Sequence, residues 1–333
     1  MAIDDSFMVH KLLGMETVIA AFSQVTGQPL AVCDPETYND QIWLFEDETL
    51  LKEFAKPYTE KKLPIRGVAF KKEQLPQFLT SLHIIGINEV AFSSEAGVSK
   101  IPLEDLAAEP EYRKLPEGRR PVENPELQLT GMYFLQEVTR QVPNEEKTDL
   151  PQLDEEFSVN LARARYIIPI ELKDGPGTMS EKIRNKQYSI PILKNKNGDM
   201  LQPLFTDMFE FTRFRKNNQI SAIAAPFASL KSMLVKEAKG YMLNPAGFHI
   251  IIPPQLIETI TKNFPDAVEE GNEKARQLVK EAAPAAAPAV RNTQKHTAPT
   301  VNFKSAAKPM NRAQRRKAGS SASKITKMPE KKG

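Results

Sequence analysis

Two stretches of this chain carry the same succession of features, and that repetition limits the possible folds more than any other property of the sequence. Leu44-Phe45-Glu46-Asp47 is followed by Phe54, nine residues after its Phe, and Leu204-Phe205-Thr206-Asp207 by Phe214 at the same distance. A short extended segment comes next in each, Leu63 to Phe70 and Ile220 to Phe227. Each then has an apolar stripe at helical spacing: Leu75, Phe78, Leu79 and Leu82 in one, Leu230, Met233, Leu234 and Ala238 in the other. Gly86 or Gly240 leads into a strand, Ala96-Gly97 or Ala246-Gly247 turns the chain, and a last strand runs into Ile101-Pro102 or Ile252-Pro253. The shared order predicts a duplicated α/β unit.

The second stretch is the fuller one. Tyr166 to Ile170 reads as its first strand. Tyr188 to Leu193 and Met200 to Phe205 flank Asn195-Lys196-Asn197-Gly198, whose Asn-Gly pair favours positive φ and so predicts a hairpin. Asp207 and Glu210 have the spacing of a capping box, which starts a helix running to about Arg215. Outside the repeats, Met8, Leu12, Met15, Ile19 and Phe22 form one stripe and predict an N-terminal helix over 1–27. Residues 109–165 read as a linker, rich in Pro and charge at its start, with helices over Thr130 to Gln141 and Leu150 to Arg165.

The formal net charge of +3 hides an asymmetry. From Glu281 to Gly333 there are twelve Lys or Arg and two acids, whereas Met1 to Lys280 holds 33 basic and 40 acidic residues. The basic segment opens with Ala-Ala-Pro-Ala-Ala-Ala-Pro-Ala and has Phe303 as its one aromatic. Such a composition offers too little apolar surface to offset chain entropy, so 282–333 is predicted as a disordered basic tail. Arg312, Arg315, Arg316 and Lys317 are its densest charge. They suit a polyanion: RNA, a ribosome surface or an anionic lipid, bound without base stacking and with strong salt dependence. The plain alternative is a solvated tail that aids solubility.

Several chemistries lack their residues. One cysteine, Cys33, leaves no internal disulfide and no CxxC pair. His10, His83, His249 and His296 stand far apart, without metal-ligand spacing. Asp174 to Ser180 holds Gly-x-Gly but no third glycine and no Walker lysine, so it reads as a mobile loop rather than a nucleotide cradle. No nucleophile elbow is visible. The sequence therefore predicts no cofactor and no metal. There is no apolar run long enough to span a bilayer, and the acidic start is unlike a secretory signal.

The second stretch resembles the SseB family, named for a bacterial protein of enhanced serine sensitivity. The resemblance covers Tyr166 to about Ile260 and is carried by Pro203-Leu204-Phe205-Thr206-Asp207 and Met242-Leu243-Asn244-Pro245. The first stretch departs from it, with Glu46 in place of Thr and no Asn-Pro pair near Asn88. The resemblance implies a bacterial cytoplasmic protein and no established enzyme chemistry. The expected fold is α/β: two tandem SseB-like mixed-sheet modules with packed helices, over 28–108 and 166–264, a helical linker, a terminal helix over 265–281 and the tail.

Asp47 and Asp207 read as helix N-caps, worth about 1 kcal/mol each, or as polar groups lining a pocket at a strand-to-helix junction. Asn244 to Gly247 reads as a turn between strands, with Gly247 taking positive φ, or as a loop presenting Asn244 to a partner. His249 and Cys33 read as packing. Trp43 with Phe45, and Phe205, Phe209, Phe211 and Phe214, read as core, or as a surface for a peptide where they emerge. The candidate ligand or partner residues are thus Phe205, Thr206, Asp207, Asn244 and Pro245. The leading expectation is a non-catalytic protein-interaction module of unidentified protein partner. The rival is a sensor of an amino-acid-like ligand, or an enzyme, with its pocket near Asp207 and Asn244.

Overall fold

A computed structural model describes residues 5–215 and 220–282. The basic tail, with Arg312, Arg315, Arg316 and Lys317, lies outside the described residues apart from Ala282. The chain begins with α1 (Asp5–Gly14), β1 (Thr17–Ser23), β2 (Val32–Cys33) and β3 (Asp40–Phe45). There follow α2 (Glu48–Glu60), β4 (Ile65–Lys71), α3 (Leu75–Leu82), β5 (Glu89–Ser94), β6 (Gly97–Pro102) and α4 (Leu103–Leu106). After two 3-10 turns at Glu111–Lys114 and Glu117–Arg119 come α5 (Pro125–Val138) and α6 (Leu150–Arg163). The remainder is β7 (Arg165–Leu172), α7 (Met179–Arg184), β8 (Tyr188–Ser189), β9 (Leu193–Lys194) and β10 (Met200–Leu204). It continues with α8 (Met208–Phe214), β11 (Ile220–Pro226), α9 (Leu230–Met233), β12 (Tyr241–Leu243), β13 (Ile250–Ile252), α10 (Pro254–Asn263) and α11 (Pro265–Ala282).

The protein is a mixed α/β structure. The first sheet runs β4-β1-β3-β5-β6, with β2 added to β3; every neighbour is antiparallel except the parallel pair β3 and β5. In the second half β11 pairs with β7, and β10 with β12 and β12 with β13; a bridge between Ile167 and Phe205 joins the two sets. The order β11-β7-β10-β12-β13 therefore has the same sequence of senses, with β10 and β12 as its parallel pair. The registers agree as well. Ala69, Ile19 and Phe45 lie across from one another, as do Ala224, Ile167 and Phe205. Ile42, Val90 and Ile101 do the same, as do Gln202, Tyr241 and Ile252.

Alternation along each strand sorts side chains between two faces. Leu44 with Val18 and Ala20 enters a large core covered by α1, α3 and α5, while Phe45 and Ala21 meet Trp43, Phe54 and Tyr58 under α2. Likewise Leu204 with Tyr166 and Ile168 enters a large core that takes in Leu161, Ile257 and Val268, whereas Phe205 and Ile167 pack on Phe211 and Phe214 under α8. The α3 stripe behaves as its spacing predicts: Leu75, Phe78, Leu79 and Leu82 are all buried, each stabilising by roughly 1.5–3 kcal/mol. Helix α5 is buried on both sides. Leu129, Met132 and Tyr133 belong to the first core, Leu127 belongs to the second, and Phe134 packs against both.

Four expectations need correction. The N-terminal helix stops at Gly14, and Thr17–Ser23 is the central strand β1, so the first sheet begins well before residue 28. The β-branched run Thr17-Val18-Ile19 favours strand, and the apolar spacing continued across the break by coincidence. The segment 174–180 ends in a helix rather than staying a loop, because Thr178 and Glu181 form a reciprocal capping box for α7. Helix α9 is a single turn after a 3-10 turn at Phe227–Ser229, so Ala238 lies beyond it. Residues 109–128 include the first turn of α5, which is a core element and not a spacer.

Candidate functional site

Strands β10 and β12 run parallel with Leu204 opposite Leu243. The residues just past their C-terminal ends must therefore emerge side by side, which is where open α/β sheets gather polar groups. Thr206 and Asn244 occupy those places. Thr206 N donates to Asn244 Oδ1 (3.0 Å), and Asn244 Nδ2 donates to Thr206 Oγ1 (2.9 Å). Asn244 N donates to Leu204 O (2.8 Å). Thr206 Oγ1 donates to Asp207 Oδ2 (2.6 Å), and Asp207 Oδ1 caps α8 by accepting from Glu210 N (2.9 Å).

Helix α5 closes the network from the far side. Gln128 Nε2 donates to Thr206 Oγ1 (2.8 Å) and to Asp207 Oδ2 (2.7 Å). Asn124 Nδ2, just before the helix, donates to Thr206 O (2.5 Å) and Arg165 O (2.8 Å). Gln128, Thr206, Asp207 and Asn244 are each at most 4% exposed. Both Asp207 oxygens already accept hydrogen bonds, and His10, His83 and His249 make theirs elsewhere. The arrangement is a filled polar clamp holding α5, the β10–α8 junction and the β12–β13 turn together. A half-filled version would be costly at this depth, since an unmet buried polar group costs about 1–3 kcal/mol.

The turn is made differently from its expected form. Asn244, with φ +48, takes the left-handed conformation that its short polar side chain tolerates. Gly247 is there for space: a Cβ would lie 2.8 Å from Glu210 Oε2. Glu210 completes only half of a capping box. Its Oε1 accepts from Arg213 Nη1 (2.8 Å), while its buried Oε2 has no partner among the described residues. Burial raises its carboxyl to about 6, with Asp207 adding to the shift and Arg213 opposing it.

The first half answers with different chemistry. Asp47 caps α2 through Thr49 N (2.7 Å) and Leu50 N (3.0 Å). Glu46, in the place of Thr206, pairs with Lys11 (2.7 Å) and accepts from Glu95 N (3.1 Å) at the β5–β6 turn. Lys11 holds that carboxyl below its ordinary range.

Phe205 is fully buried against Phe211 and Phe214, and Pro245 is half-buried. Phe209 points outward, 49% exposed, with the Arg213 guanidinium over its ring. It forms one rim of a cleft of about 200 Å³ between the two halves. The opposite wall is Phe22, Pro29, Phe78, Ile84 and Ile85, and Asp207 and Glu210 lie at its edge. Sequence reasoning missed Gln128 and Asn124, which sat in the supposed linker. Among the described residues no His, Cys, Asp or Glu cluster could hold a metal ion, and no helix is long and apolar enough to cross a membrane.

Sheet order and clamp together define an α/β module whose polar signature sits at the ends of its parallel strands. Residues 147–259 match the SseB protein N-terminal domain. The match begins before Tyr166 and so takes in helix α6. No curated protein matches the chain. Among solved structures it is similar to Tic22 from Plasmodium falciparum, at 10% identity over 76% of this chain and 96% of that one, with a TM-score of 0.18. It is similar also to Anabaena Tic22 (protein transport), at 9% identity over 68% and 84%, again with a TM-score of 0.18. Likeness at that score carries no argument about this chain.

Proposed function

We propose that this chain is a non-catalytic interaction protein built from two SseB-like modules, about 5–106 and 150–263, around the shared helix α5. Its interdomain cleft receives an apolar segment of a protein partner. The observation that carries the reading is the saturation of Thr206, Asp207 and Asn244: the family's signature residues spend their hydrogen bonds on one another and on Gln128. What remains open to solvent beside them is a mainly apolar cleft, with Phe209 exposed at the rim. Support for two modules comes from the equal order of pairing senses and from the matched registers. The reading takes the protein as bacterial and cytoplasmic, as the SseB resemblance implies. The residues after 282 serve it as an arm for RNA, a ribosome surface or anionic lipid, and removing them should abolish a salt-dependent affinity for those polyanions.

A photo-crosslinking residue at position 209, in the native cell, tests the cleft. The expected result is one dominant protein adduct that is lost when Ile85→Arg fills the opposite wall. No adduct, or an adduct indifferent to Ile85→Arg, refutes the cleft. A saturable rise in melting temperature with serine or a related amino acid, abolished by Asp207→Asn in a folded protein, would replace this reading with a sensor.

A further inference from the structure

A second cavity, of about 90 Å³, lies away from the cleft, where the segment after the Glu117–Arg119 turn, the start of β7 and one face of α11 converge. Its charged walls are Arg120, Arg163, Arg165 and Lys274, against Glu117 and Glu123. The acids and cations do not cancel. Glu123 is already taken: it accepts from Arg113 Nε (3.0 Å), Arg113 Nη2 (3.1 Å) and Tyr112 OH (3.0 Å). Arg163 is taken too, by Glu270 (2.5 Å). Arg120 is oriented by a bond from its Nε to Leu115 O (2.8 Å) and makes no ion pair among the described residues. Arg165 and Lys274 make no side-chain hydrogen bond or ion pair among the described residues. Among the described residues, three cations without an ion pair thus line the cavity with one such acid, Glu117.

Arg165 is the unusual member. It is the first residue of β7, and its backbone is fixed by Asn124, which donates to its carbonyl (2.8 Å) and accepts from its N–H (3.2 Å). Its guanidinium is half-buried, and burial pushes it down from its ordinary range. A cation withdrawn from water without a counter-charge is a standing cost, and here it is held rigidly beside an open cavity. Helix α11 lines the other side with Gly271, Lys274, Ala275 and Leu278, one face at i, i+3, i+4 and i+7, so Lys274 is the charge on an otherwise small and apolar wall.

We infer that this cavity is a binding site for a phosphoryl oxyanion, either free phosphate or the phosphate of a small monoester, with Arg165 and Arg120 as its planar forks and Lys274 as its point charge. A dianion balances the excess of unpaired cations over Glu117. Arginine forks match the spacing of phosphate oxygens. The site is independent of the cleft and of the two-module reading.

The test is thermal unfolding of the full chain in sodium phosphate and in phosphoserine, each against sodium chloride of equal ionic strength, for wild type, Arg165→Gln, Arg165→Lys and Lys274→Gln. The chloride series cancels the general effect of salt on the basic tail. The expected result is a saturable rise in melting temperature with phosphate. Affinity should be about tenfold weaker in Arg165→Gln and in Lys274→Gln, with Arg165→Lys between. A response to phosphoserine as strong as that to phosphate identifies a monoester, and a response to phosphate alone identifies the free ion. Lys274 is exposed on α11, so its variant decides the matter even if Arg165→Gln fails to fold. Equal shifts in phosphate and chloride, or phosphate affinity unchanged in Lys274→Gln, would overturn the proposal.

Discussion

Replacing Glu210 by Gln should reshape the pH dependence of stability. Glu210 is 3% exposed, its Oε2 has no partner among the described residues, and Asp207 stands beside it. Burial raises it from an ordinary 4.5 to about 6. The folded state therefore binds this proton more tightly than the unfolded state does. Between those two values the folded chain carries more protons, so stability falls as pH rises through the interval. A shift of that size corresponds to about 2 kcal/mol, because one unit is worth about 1.4 kcal/mol. Urea unfolding followed by circular dichroism from pH 4 to 7.5 gives the stability of each protein. The quantity to plot is wild type minus Glu210→Gln, which removes the contributions common to both. That difference should be flat above about pH 7 and should climb by about 2 kcal/mol in the wild type's favour as pH falls to about 4. The lost bond to Arg213 moves the whole curve without changing its slope. A difference that stays flat, or that grows with rising pH, refutes the assignment of a desolvated Glu210.

Other substitutions test other parts of the fold. Asp34 accepts from Glu36 N, Thr37 N and Gln41 Nε2 and pairs with Lys100, chiefly on whose account its carboxyl is lowered to about 2. Asp34→Asn should cost about 1 kcal/mol at pH 7, with solvent screening at Lys100 counted; the difference from wild type should vanish as pH falls from 3.8 through 2. Gly86 has φ +80, and a Cβ there would sit 2.8 Å from Pro125 O, so Gly86→Ala should lose about 2 kcal/mol or more in denaturant titration. Asp207→Asn, with its carbonyl oxygen kept on Glu210 N, turns an amide donor toward the Gln128 Nε2 donor, and should cost about 2–3 kcal/mol in the same assay.

Local chemistry was legible in the sequence where the deciding residues are neighbours. Both N-caps, Asp47 and Asp207, act as such, and the Asn195–Gly198 turn joins β9 to β10 antiparallel, although of the expected arm Tyr188 to Leu193 only Leu193 lies in β9, Tyr188–Ser189 pairing with β7 instead. The SseB signature segments were each visible as well. Their meeting through Thr206 and Asn244 was not, because it depends on the parallel pairing of β10 with β12, which no spacing encodes. The partners Gln128 and Asn124 were out of reach for the same reason: Gln128 lies 78 residues before Thr206, on a helix whose amides follow no motif. The strand β1 was lost to a competing period, since Met15, Ile19 and Phe22 extend the stripe of Met8 and Leu12 past the true end of α1. The capping box Thr178-x-x-Glu181 is a local signal in the sequence, beside glycines that by themselves favour a loop.

Because α5 contributes Met132 and Tyr133 to one core and Leu127 to the other, and ties Gln136 to Ala31 while Gln128 holds Asp207, the gene has no clean place to be divided. A fragment ending before Pro125 lacks the helix that closes its own sheet, and one beginning after Val138 lacks the lid on the other. Whichever fragment keeps α5 exposes half of an apolar helix to water, which favours aggregation over independent folding. Two such fragments made in the same cell should recover structure only by finding each other, as a split protein does. The same helix then acts as the reassembly handle for any complementation pair cut on either side of it.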